Sequence, residues 1–127
     1  MFVTLLAVSF MCWFAMYSPV EAASADPNPS PPIFDNLGSL HHPITTTSEL
    51  AQQYFDQGLR LVYAFNHEEA IRSFEAAARQ DPQAAMAYWG IALALGPNIN
   101  RAMEKKDEQR AIEMVQKAKR LATNASI

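Results

Sequence analysis

AQQYFDQGLRLVYAFNHEEAIRSFEAAARQDPQA, residues 51–84, holds two helical periods with a turn between them. Leu50, Tyr54, Leu61 and Phe65 fall at the spacing of one helical face. Thr47 or Ser48 can cap that helix, and Glu49 suits its first turn. A turn follows at Phe65-Asn66. Asn66 with Glu69 three residues later resembles a capping box and opens a second helix. This second helix puts Ala70, Phe74 and Ala77 on one face and ends near Gln80. Gly58 is small, as are Ala70 and Ala77, so the two helices can cross closely at these positions. Tyr54 and Phe74 fill the space left between them.

Toward the C-terminus the same pattern begins again. Asp81-Pro82 reads as a helix start, with Asp as cap and Pro in the first turn. A third helix runs through Tyr88, Ile91 and Leu95 and stops at Gly96-Pro97. After a loop at 98–101, an amphipathic helix spans roughly Glu104 to Ala122, with Ala111, Met114 or Val115, Ala118 and Leu121 inward. Tyr88 stands where Tyr54 stood, Ala92 where Gly58 stood, and Ala111 and Ala118 where Ala70 and Ala77 stood. The second unit carries about seven extra residues in its turn and lacks the closing proline.

Tyr54, Gly58, Ala70, Phe74, Ala77 and Pro82, in ungapped register, resemble the tetratricopeptide repeat, whose period is about 34 residues. Leu61 replaces the usual aromatic, and Gln57 departs from the expected Leu. The stretches FDNLG (34–38), HHPITT (41–46), YFDQG (54–58), FNH (65–67), AYWG (87–90) and LGPNIN (95–100) are similar to the N-terminal part of a group of exported bacterial tetratricopeptide proteins. Members of that group are several times longer and have no assigned activity. The resemblance implies an all-α fold: about two helix-turn-helix units, 48–84 and 85–122, four helices in a short right-handed solenoid. It supplies no catalytic residues. In such a fold the first helix of each unit lines a concave groove, which here would present Phe55, Leu59, Val62, Tyr63, Met86, Trp89 and Leu93. An apolar groove of this kind marks a protein- or peptide-binding surface, or one covered within the protein. Two units are few for this architecture, so marginal stability or a homo-oligomer is expected.

Toward the N-terminus the composition changes. Residues 33–47 combine turn residues with Phe34, Leu37 and Ile44 and read as an extended arm lying on the domain, either in the groove or beside it. Residues 23–32 read as a Pro-rich linker. Phe2 to Tyr17 is apolar apart from Thr4 and Ser9. Pro19 and a small-residue site ending at Ala22 follow, so 1–22 reads as a secretory signal, and as an anchor where it is not cleaved. No Lys or Arg precedes the apolar run. These features predict an exported chain, periplasmic or secreted. Residues 123–127 form a tail.

The net charge is −3, and acids and bases alternate along the helices, giving no basic face for nucleic acid and no cationic face for a membrane beyond the leader. The single cysteine, Cys12, excludes a disulfide framework. No phosphate loop, nucleophile elbow or HExxH motif is present, so no catalytic residue and no cofactor is assigned. His41, His42 and His67 are the only histidines and the only candidate metal ligands. The adjacency of His41 and His42 is awkward for one ion, and structural roles are expected instead. The leading expectation is an interaction module binding a partner segment. Its rival is the N-terminal scaffold of a larger envelope enzyme or a histidine-based metal-binding protein.

Overall fold

The computed structural model describes residues 29–124. The leader and most of the linker lie outside the described residues, as do the last three residues of the tail. The described chain is all-helical: α1 (Glu49–Tyr63), α2 (His67–Gln80), α3 (Ala85–Leu95) and α4 (Lys105–Asn124). Among these residues the one β-type pairing is the isolated bridge between Asn98 and Arg101. Each helix packs on the next in chain order, and α3 also touches α1. No helix among the described residues is long and apolar enough to cross a membrane.

The caps explain most of the boundaries. Ser48 Oγ accepts from the Ala51 N–H at 3.1 Å and starts α1. At the other end of α1 the Asn66 N–H reaches the Leu61 carbonyl at 2.9 Å and the Phe65 N–H reaches Val62 at 3.0 Å. These paired bonds end a helix through one left-handed residue. That residue is Phe65, at φ 59°. Phe65 therefore stands exposed at the turn and does not continue the inward face of α1. Asn66 caps α2, its Oδ1 accepting from the Glu69 N–H at 3.4 Å, while the Glu69 carboxylate pairs with Arg72 at 2.8 Å.

Asp81-Pro82 does not open α3. Asp81 ends α2, and its Oδ1 accepts from the Gln83 N–H at 2.9 Å, which bends the chain before α3 begins at Ala85. An Asp before Pro serves a helix end followed by a turn as well as it serves a helix start. No side chain caps α3, whose residues are apolar almost all round and which is held by packing.

Small residues surround the Phe74 ring at the centre of the core. Ala70, Ala76 and Ala77 on α2 and Ala51 on α1 are fully buried, as is Phe74. A β-carbon on Gly58 of α1 would lie 2.6 Å from the Phe74 ring, and one on Gly90 of α3 would lie 2.5 Å from it. Glycines on two helices thus make room for the Phe74 ring, and α1 and α3 both come close to it only because neither position carries a side chain. On α4, Ala111, Met114, Ala118 and Leu121 pack against this core, whereas Val115 faces outward.

Candidate functional site

The two ends of the helix stack differ, and the difference traces to single residues. Shifted by the 34 residues that carry Tyr54 onto Tyr88, the α3 residues Ala87, Gly90, Ile91 and Ala94 fall on Gln53, Asp56, Gln57 and Arg60 of α1. On α3 these four are buried apolar positions. On α1 all four are polar, and three of them bind the N-terminal arm. Gln57, 2% exposed, accepts from the Phe34 N–H at 2.8 Å and donates to the Pro32 carbonyl at 3.0 Å and to Ser73 Oγ at 3.1 Å. Asp56 accepts from the His42 N–H at 2.9 Å and pairs with His41 Nδ1 at 2.7 Å. Arg60 Nε donates to the Leu40 carbonyl at 2.8 Å.

Further bonds hold the arm at both ends. Gln52 bridges the His42 carbonyl and the Ile44 N–H, both at 2.9 Å. Thr46 Oγ1 donates to Asp81 at 2.5 Å, tying the arm to the end of α2. Residues 30–32, read from their prolines as linker, are docked as well. Pro31 is buried and accepts from Tyr54 Oη at 3.1 Å, and Ser30 Oγ accepts from Arg79 at 3.1 Å. Leu37 and Ile44 pack against the core.

The arm changes what α1 offers. Phe55 is fully buried, with the His42 ring 6.1 Å away and the Phe74 ring 5.5 Å away, and Leu59 is also buried. Neither presents an open surface, although helical spacing places both on the groove face. Val62 and Met86 are half-buried, and Tyr63 is exposed at the end of α1. Trp89 and Leu93 on α3 are 39% and 41% exposed.

Trp89 and Leu93 belong to an open apolar cleft of about 540 Å³ between α3 and α4, which also takes in Ala92, Met103, Ala111, Ile112 and Val115. Ile112 and Val115 are 51% and 42% exposed. Glu108 and Lys119 stand at its two ends on α4, with Gln116 between them. By the same repeat register Trp89 and Leu93 correspond to Phe55 and Leu59, and Val115 to Phe74, all three buried in the first unit. The cleft residues thus align in sequence with positions of α1 and α2 that α3 and the arm cover. Of the α3 residues that helical spacing places on the groove face, Trp89 and Leu93 line this cleft and Met86 does not. The α4 side was missed, although Val115 in place of a phenylalanine was the available signal.

Several charged groups elsewhere on α4 are engaged within the chain. Lys117 Nζ lies 4.1 Å from the centre of the Tyr88 ring, Arg110 pairs with Glu75 and Asp107 with Arg101. At the start of α4 an exposed pair joins Lys106 to Glu104 at 3.0 Å. The hydrogen bond between them, then their mutual attraction, lowers the Glu104 carboxyl and raises the Lys106 ammonium from their ordinary ranges.

Each of the three histidines makes a contact within the chain. His41 bonds Asp56, His42 lies against Phe55, and His67 Nδ1 is 3.2 Å from the Phe65 carbonyl in the α1–α2 turn. Among the described residues no group of three His, Cys, Asp or Glu side chains is placed to hold a metal ion. No protein-family model, curated protein or solved structure matches the chain.

Proposed function

We propose that this chain is an exported, tetratricopeptide-type interaction module that works by holding a helical segment of a protein in the cleft between α3 and α4, and not by catalysis. The observation that carries the reading is the pairing of Trp89 and Leu93 with Ile112 and Val115 along one open, apolar cleft. Exposed apolar surface grouped in this way costs solubility unless something covers it. A helix laid in a groove between two helices is a recurrent solution. The polar rim fits the same use: Glu108 and Lys119 can orient a bound segment without entering the apolar floor.

The repeat identity is supported by Tyr54, Gly58, Ala70, Phe74 and Ala77 and by their register with Tyr88, Ala92, Ala111 and Ala118. Export is supported by the apolar run from Phe2 to Tyr17 and the small residues that end at Ala22.

Co-purification from the producing cell tests the reading. Wild type is compared with Trp89→Ser and Leu93→Glu, both at positions that reach solvent in the cleft. Loss of a stoichiometric protein partner in both variants, with unchanged helicity, is expected. An identical set of bound proteins in all three samples would reject the cleft as the binding surface.

A further inference from the structure

The α4 side of the cleft carries a pattern that says what covers it. Its lining residues are Glu108, Ala111, Ile112, Val115, Gln116 and Lys119. Glu108, Ile112, Val115 and Lys119 follow at spacings of four, three and four, the seam spacing of paired helices. The set is also symmetric about the midpoint between Glu113 and Met114. Reversed end for end, Glu108 falls on Lys119, Ala111 on Gln116 and Ile112 on Val115. An antiparallel second α4 therefore meets opposite charge at both ends and a β-branched residue against a β-branched residue in the middle. Over a seam of roughly 16 Å, both ion pairs form at once.

We infer that the occupant of the α3–α4 cleft is a second copy of this chain, joined by an antiparallel α4–α4 seam about a two-fold axis, with Trp89 and Leu93 of each copy flanking the other's α4. This rests on the reading of the cleft as a protein-docking surface and names its partner. A two-fold contact uses the same patch on both copies, so the patch must complement itself, and this one does. Glu108 and Lys119, like Lys105, Glu113 and Arg120, form no ion pair among the described residues, and of these only Glu108 and Lys119 line the cleft. Head-to-tail stacking is disfavoured by the other end of the molecule. There Gln53, Asp56, Gln57 and Arg60 stand where a stacking helix needs small apolar residues, and the arm already covers three of them. Association thus closes at two copies.

Sedimentation of the full chain over a range of concentrations tests the inference. A reversible dimer is expected for wild type. Glu108→Lys sets lysine against Lys119 of the other copy at both ends, and Lys119→Glu sets acid against acid. Each single variant is expected to weaken the dimer on the order of thirtyfold. Mixing the two single variants restores opposite charges in a heterodimer, as does combining both changes in one chain, and both are expected to recover the wild-type mass. Association through any other part of the chain ignores these changes, so a dimer unaffected by Glu108→Lys would overturn the seam. A wild-type chain that stays monomeric would also overturn it. If that monomer still loses a co-purifying protein on Leu93→Glu, the docking reading stands without self-association; if it loses none, both fall.

Discussion

The ring of Phe74 occupies the space that a side chain on Gly90 would need, since a β-carbon built there lies 2.5 Å from ring Cδ1. Gly90 was not singled out by the repeat pattern, which marks Gly58 and Ala92, yet it fixes how closely the second helix pair approaches the first.

Gly90→Ala is expected to destabilise the protein by about 1–3 kcal/mol through overpacking, although glycine to alanine inside a helix ordinarily gains stability. Phe74 is fully buried and cannot swing into solvent to relieve the clash. Urea unfolding of the two proteins checks this; a midpoint equal to or above wild type would show that α3 can move off the ring at no cost.

Gln57→Leu restores the residue that the repeat pattern calls for, and it is nonetheless expected to lower stability by about 1–3 kcal/mol. It removes the acceptor of the Phe34 N–H, the donor to the Pro32 carbonyl and a bond to Ser73. Hydrogen exchange read residue by residue separates this from a general loss. The Phe34 amide is expected to lose protection first, before the amides of α2.

Phe65 sits at φ 59° with its ring largely in solvent, so it holds a strained backbone without a buried side chain in return. Phe65→Gly is expected to raise stability by about 1 kcal/mol, because glycine adopts this helix-ending conformation freely. Thermal unfolding reads the change. A fall in the midpoint would mean that the aromatic contact with His67, 6.2 Å between ring centres, outweighs the strain.

Phe55 and Leu93 share the groove face by helical spacing but occupy different environments. Phe55→Ala is expected to cost about 3–5 kcal/mol, as for other buried aromatics, while Leu93→Ser, at a residue already part-exposed, is expected to cost about 1 kcal/mol. Denaturant titration of both variants tests the contrast, and equal effects would contradict the cover that the arm provides.

Much of the fold could be read from sequence because its determinants are local. Ser48 and Asn66 cap where their side-chain chemistry suggests, and Ala70, Phe74 and Ala77 face the core as their spacing requires. The site was harder. Helical spacing says which residues share a face but not what lies over that face. Phe55 and Trp89 therefore looked equivalent until the arm was seen against α1. Gln57 held a clue, since a polar side chain amid an apolar pattern implies a buried partner. Asp81 misled because an Asp-Pro pair suits either a helix start or a turn after a helix end. Met114 and Val115 stood as alternatives for the inward face of α4 because an amphipathic pattern admits two rotations, and only packing selects the one with Met114 inside and Val115 outside beside Ile112.

The most direct measurement is site-specific photo-cross-linking in the producing cell, with the reactive side chain placed at Leu93 in the cleft or at Gln53 on the exposed side of α1. A protein adduct from Leu93 and none from Gln53 is expected. No adduct from Leu93, or equal adducts from both positions, would contradict the cleft as the protein-binding surface.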